Sequence, residues 1–178
     1  QCLDAPIAGI NTPYLYFGQW KAMFGWHVED MNLFSINYVH FGAPKRWYSV
    51  PSKHADALQR FFTSLFPDLH DVCPQFLQHK TTMVSPSVLM KNGFPVTTCI
   101  QEEGEIMLTY PRAYHAGFNH GFNCAESTNF ATPVWMPFGR QFTVCRCSAD
   151  AVRIDIDAFQ RKYDHWCRRR AGEPLPND

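Results

Sequence analysis

The chain has 178 residues, enough for one compact domain with a sizeable core. Apolar side chains make up 46% and charged ones 18%, a balance that excludes a disordered chain. Sixteen basic and sixteen acidic residues cancel, excluding a polycationic nucleic-acid binder, and the short, interrupted apolar runs exclude a membrane-spanning helix.

The opening stretch, "QCLDAPIAGINTPYLYFG", lacks the basic and apolar regions of a secretory signal. Tyr14, Leu15, Tyr16 and Phe17 read as core strand residues, and their early position points to a piece of a longer chain. "LFSINYVHF" (33–41), rich in aromatic and β-branched types, predicts a strand. "RWYSV" (46–50) predicts its partner, with "GAP" as the turn and Gly42 able to take positive φ. Ser52 is placed to cap a helix over 53–66, where Leu58, Phe61, Phe62, Leu65 and Phe66 share one apolar face. "SPSVLMKNG" (85–93) predicts a short helix ending before Gly93. "VTTCIQ" and "GEIMLTY" predict further strands, and "AYHAGFNHGFN" and "STNFATPVW" follow, punctuated by Gly and Asn. "DIDAFQRKYDHWCRRR" predicts a last helix capped by Asp155, with Arg168 to Arg170 as a solvated end that suits the helix dipole. Short strands, glycine-rich turns, one inserted helix and a terminal helix predict a mainly β fold, closed or two-sheet and antiparallel.

His27 and Glu29, two apart in an extended segment, present an imidazole and a carboxylate to one side. With one more histidine they make the facial triad of non-haem iron(II) oxygenases, which leaves positions open for substrate and oxygen. His115 and His120 are the candidates, and spacing alone does not choose between them. From Asn37 to Lys45 a straight strand would span about 26 Å, too far for one small ligand. A reversal at Gly42-Ala43 instead sets Lys45 opposite His40, roughly 10 Å along the strand from Asn37, a spacing suited to a short dicarboxylate. A lysine inside an aromatic-rich barrel needs an anion.

Seven cysteines, at 2, 73, 99, 124, 145, 147 and 167, fit a reducing compartment with some thiols on metal better than a disulfide framework. Cys73, His79, Cys145 and Cys147 form a Cys₃His set, the donors of a closed structural zinc site, the last pair aiming both sulfurs one way if on a strand. Cys99 and Cys124 read as core filler, and Tyr14, Tyr16, Trp20 and Trp26 mostly as packing.

Together, "GINTPYLYFG", "WHVEDMNLFSINYVHFGAPKRWYSVP", "QEEGEIMLTYPRAYHAGFNHGFNCAESTNFAT" and "CRC" resemble the JmjC-domain histone lysine demethylases. The group most similar acts on trimethylated lysines 9 and 36 of histone H3. The resemblance implies a double-stranded β-helix, with a JmjC catalytic domain over 1–150 and a helical extension over 151–178 packed on it. It implies iron(II) on His27, Glu29 and His115, with Lys45 on the distal carboxylate of 2-oxoglutarate, Asn37 at its proximal end and Phe24 as a wall. Gly9, Tyr16, Glu29, Ser127 and Asn129 would surround the methylammonium with Lys80 nearby, and Cys73, His79, Cys145 and Cys147 would hold zinc(II). The implied activity is demethylation of tri- or dimethyl-lysine on the H3 tail, consuming O₂ and releasing formaldehyde, succinate and CO₂. Chromatin would be the partner and the nucleus the location, with no membrane and no sequence-specific nucleic-acid contact. A protein hydroxylase and a non-catalytic chromatin-binding module are the alternatives. Ala43, where the family usually has glutamate, and "PRAYH", which resembles lysine-4 demethylases, depart from the pattern, whereas Ser127-Thr128 matches the lysine-9/36 group.

Overall fold

The computed structural model describes residues 6–7, 9–147, 149 and 151–172. Cys2 and the outer ends of the two expected segments lie outside the described residues.

Eight strands run as β1 (Tyr14–Gly18), β2 (Met23–His27), β3 (Phe34–Gly42), β4 (Lys45–Val50), β5 (Thr97–Gln101), β6 (Ile106–Thr109), β7 (Tyr114–Asn119) and β8 (Asn123–Phe130). They form two four-stranded sheets, ordered β1-β8-β3-β6 and β2-β7-β4-β5, in which every pairing is antiparallel. The two orders correspond strand for strand. Each consecutive pair of strands is therefore one ribbon that starts in one sheet, turns a corner and continues in the other. This is a double-stranded β-helix.

That path corrects the expected hairpin. β4 is not the partner of β3, because β3 pairs with β8 and β6 while β4 pairs with β7 and β5. Gly42 does take positive φ, at 100°, but the turn it opens is a corner between sheets. Ala43 donates its amide to Phe122 O at 2.8 Å, so this corner and the one between β7 and β8 turn in contact. A Cβ on Gly42 would sit 2.5 Å from Phe122 O, which is why the two chains can approach there. Lys45 consequently lies on the sheet facing Asn37, not further along the same hairpin.

Strand parity then divides the two sides of the second sheet. Trp26, Val50, Tyr114 and Ala116 face outward and are buried against Leu58, Phe62 and Leu89. These come from α1 (Ala55–Leu65) and α3 (Pro86–Lys91). Each fully buried Leu or Phe there contributes about 1.5–3 kcal/mol. Trp26 also donates its indole N–H to Val84 O at 2.8 Å. The inward residues Lys45, Trp47, His115 and Asn119 line a cavity instead. A second apolar cluster closes one end of the barrel. Ile10, Met31, Phe34 and Trp135 pack there with Met136 of α4 (Met136–Arg140) and with Ile156 and Phe159 of α5 (Ile156–Ala171).

Several local expectations need correction. A 3₁₀ turn at Ser52–His54 precedes α1, so Ser52 does not cap it, and Leu65 is exposed. α2 (Pro67–Val72) and α4 were not foreseen; each is one short turn or two, opened by a proline that costs no backbone bond there. Tyr14, Leu15, Tyr16 and Phe17 form a strand but are 48–66% exposed, because β1 is a sheet edge. Trp20 and Cys99 are exposed as well, whereas Trp26 and Cys124 are buried. Asp155 does cap α5, accepting from Ala158 N at 2.9 Å.

Candidate active site and metal centres

A cavity of about 500 Å³ occupies the barrel. His27, at the end of β2, pairs in register with His115 of β7, and their rings lie 4.3 Å apart. Glu29 follows β2 in extended conformation, outside the strand, and the alternation still carries its carboxylate to the same side. Glu29 Oε1 is 3.4 Å from His115 Nε2, and one ligand atom from each of the three residues lies within 4.8 Å of the others. His120 is not part of this group.

Both imidazoles are oriented the same way. His27 Nδ1 is 2.7 Å from Gly25 O, and His115 Nδ1 is 3.0 Å from Ala113 O. A carbonyl only accepts, so Nδ1 carries the proton and the Nε2 lone pair is left for a metal. Burial and the neighbouring His115 push the His27 pKa down to about 3, so its ring is neutral and able to ligate. Burial alone would raise the pKa of Glu29, but the neighbouring His115, His27 and Lys80 outweigh this and lower it. Two imidazoles presenting Nε2 and one carboxylate suit an iron(II) ion with open positions.

Asn37 of β3 and Lys45 of β4 line the same cavity from opposite sheets. Asn37 Oδ1 is buried without a hydrogen-bond partner among the described residues. Lys45 Nζ donates to Asn119 Oδ1 at 2.7 Å, and burial lowers its pKa. A buried ammonium held, among the described residues, by a neutral amide and an unspent amide on the same cavity fit an anionic guest with polar groups at both ends. Phe24 lines the same cavity, edge-on to Trp47 at 4.9 Å.

Gly9, Tyr16, Lys80, Ser127 and Asn129 line the same space. Ser127 Oγ donates to Ile36 O and Asn129 Nδ2 to Phe34 O, so their oxygens remain acceptors toward the cavity side. Burial pushes the Tyr16 phenol up, keeping it protonated. Lys80 pairs with Asp30 at 3.2 Å; burial opposes its charge, but Asp30 and Glu29 outweigh that and raise its pKa.

The second cluster gathers Cys73, His79, Cys145 and Cys147, whose ligand atoms also lie within 4.8 Å of one another. Cys73 Sγ to Cys145 Sγ is 3.6 Å and His79 Nε2 to Cys145 Sγ is 3.4 Å. A sulfur pair at that distance is not a disulfide, and a tetrahedral zinc with bonds of about 2.3 Å sets its sulfurs roughly 3.8 Å apart. Cys145 and Cys147 are not on a strand as expected; a turn brings them together, and Cys147 donates its amide to Cys145 Sγ at 3.3 Å. Gln78 braces the same junction, donating to Thr143 O and accepting from Cys145 N.

The sequence reading missed Ser35, Trp47, Asp30 and Asn119, all of which line the main cavity. Period-two counting would have found three of them: Ser35 from Asn37, Trp47 from Lys45, and Asn119 from His115. A family model described as "JmjC domain, hydroxylase" matches residues 14–130. The chain belongs to the JmjC family. It is 52% identical over 169 residues to Lysine-specific demethylase 4B of Mus musculus, an alignment covering 92% of this chain and 16% of that protein. It is 52% identical over 167 residues to Lysine-specific demethylase 4D of Rattus norvegicus, covering 91% and 33%. The match to Probable lysine-specific demethylase 4F of Homo sapiens is 52% over 169 residues, covering 92% and 26%. The chain thus spans 16–33% of the length of these relatives. The JmjC match takes in all eight strands and the three converging ligands His27, Glu29 and His115, but only Cys73 and His79 of the second cluster.

Proposed function

We propose that this chain is the catalytic core of an iron(II)- and 2-oxoglutarate-dependent dioxygenase that demethylates tri- or dimethyl-lysine on histone H3, at lysine 9 and/or 36. One observation carries the reading: the ligand atoms of His27, Glu29 and His115 meet on the wall of a cavity that also holds the buried Lys45 ammonium. The names of the demethylase relatives support the substrate class. Iron(II), when bound with 2-oxoglutarate and O₂, supplies the oxidation of an N-methyl C–H bond that ends in formaldehyde, succinate and CO₂.

The chain's own residues do the rest. Lys45 pairs with the distal carboxylate of the co-substrate, Asn37 takes its proximal end, and Phe24 keeps it aligned between them. Gly9, Tyr16, Glu29, Ser127 and Asn129 offer oxygens to the polarised C–H groups of the methylammonium, a weak contact whose value is orientation. Lys80, paired with Asp30, sets the rim charge beside Glu29. Holding the methyl group near the reacting centre and excluding water is where the rate enhancement of the protein lies. Cys73, His79, Cys145 and Cys147 hold zinc(II) as a clasp. The domain over 1–150 carries this machinery, and α5 of the extension over 151–178 packs on it. Chromatin in the nucleus is the setting.

Incubating methylated H3 peptides with the intact protein, iron(II) and 2-oxoglutarate should remove one CH₂ mass per methyl and release formaldehyde. Retained peptide mass with a gained oxygen would mean a hydroxylase, and peptide binding without succinate would mean a reader.

A further inference from the structure

The corner of the barrel holds an asparagine pair that the co-substrate reading does not use. Asn119 closes β7 and Asn123 opens β8, so both sit where that ribbon passes between sheets. Asn119 Oδ1 accepts from Lys45 Nζ at 2.7 Å and from Asn123 Nδ2 at 3.1 Å. Asn123 Nδ2 also donates to Ala43 O at 2.8 Å, in the corner between β3 and β4. Asn119 Nδ2 reaches Ala22 O at 3.5 Å, in the corner between β1 and β2. Three of the four ribbon corners are thus tied through two side chains that are 6% and 0% exposed. The space is full, since a methyl at Gly18 would fall 2.3 Å from Asn123 Oδ1.

We propose that Asn119, braced by Asn123, is a positioning residue that fixes the Lys45 ammonium for the distal carboxylate and must be neutral to do so. The inference rests on the dioxygenase reading and deepens it. Two features of the geometry carry it. Asn119 is the hydrogen-bond acceptor for a buried ammonium that has no carboxylate partner among the described residues. An amide oxygen orients that ammonium without discharging it, so the electrostatic demand is left for a guest. A carboxylate in the same place would meet the demand internally. Asn119→Asp, nearly isosteric, should therefore act as a built-in competitor of the co-substrate. It keeps the bonds from Lys45 and Asn123 and puts only the weak 3.5 Å contact with Ala22 O at risk.

A merely structural role and a positioning role predict different results. Damage to the barrel would weaken every 2-oxo acid alike. Loss of the Lys45 site would weaken only one that carries a distal carboxylate. The test is calorimetric titration of 2-oxoglutarate and of 2-oxobutyrate into the intact, manganese(II)-loaded protein, as wild type, Asn119→Asp and Asn119→Ala. The wild type should prefer 2-oxoglutarate. Asn119→Asp should lose about tenfold or more of that preference, with little change for 2-oxobutyrate and no fall in melting temperature. Asn119→Ala should lose less of it, and in turnover should raise KM for 2-oxoglutarate more than it lowers kcat. If Asn119→Asp fails to fold, the alanine variant decides by the same ratio. A wild-type preference retained in the variants, or a parallel loss for both acids, overturns the proposal while leaving the dioxygenase reading intact. A wild type that binds neither acid overturns that reading and the proposal with it.

Discussion

The two ligand clusters differ in both donors and supports: two imidazoles and a carboxylate in one, three thiols and an imidazole in the other. His27 and His115 sit on paired strands, each imidazole aimed by a carbonyl two residues before it. Cys73, His79, Cys145 and Cys147 come from helix ends and irregular chain, outside any strand. One cluster offers three ligands to the main cavity, and the other gathers four outside it. The contrast teaches where the energy goes. A rigid sheet pre-organises an open site where a metal would add chemistry, whereas irregular chain suits a closed site where a metal would add structure.

The largest expected effect separates these roles on the catalytic side. His115→Ala should lower demethylation by ~10³-fold or more, about 4 kcal/mol of barrier, while the melting temperature of the metal-free protein moves by only a few degrees. A loss of fold comparable to the loss of activity would show that the open site is structural too. On the other side, Cys145→Ser should lose bound zinc and about 3 kcal/mol or more of stability. Exhaustive chelation of the wild type should reproduce it. Metal analysis with calorimetry reads both, and an unchanged melting temperature would break the comparison.

The same contrast governs how far the sequence could be read. His27 and Glu29 were legible because alternation in extended chain has only two sides. The Cys₃His set was legible from its chemistry, although Cys145 and Cys147 are not on a strand. The step from β3 to β4 was not legible: "GAP" fits a hairpin and a corner equally, and the choice is made by β7 and β8, much later in the chain (Gly42 pairs with Asn123). Asn37 and Lys45 were thus assigned to one site through an incorrect path. Asn119 was passed over because an asparagine in a glycine-rich run reads as turn chemistry until its parity with His115 is counted.

A smaller effect tests the rigidity attributed to the sheet. Gly117 lies between β2 and β4, and a Cβ there would meet Arg46 O at 2.1 Å and Phe24 Cζ at 2.5 Å. Gly117→Ala must part strands or displace Phe24 into the cavity. It should cost about 2 kcal/mol and weaken 2-oxoglutarate binding with zinc retained. A variant of normal stability and affinity would mean that the open site is softer than its strand supports imply.

The smallest effect has the opposite sign. Lys45 is buried with a neutral partner, and burial lowers its pKa below the ordinary 10.5. Between those two values the unfolded chain binds the proton and the folded one does not, so folding stability rises with pH there. Below that window the folded state carries the cost of a charge it cannot neutralise alone. Lys45→Met removes this cost and should raise the stability of the ligand-free protein at neutral pH by about 1 kcal/mol. The difference from wild type should shrink as pH approaches 10.5. The variant should at the same time lose binding of 2-oxoglutarate. Denaturant titrations at neutral and alkaline pH measure the gain. A destabilised variant would mean that Lys45 already has its charge satisfied by the barrel, and that the open site was never waiting for an anion.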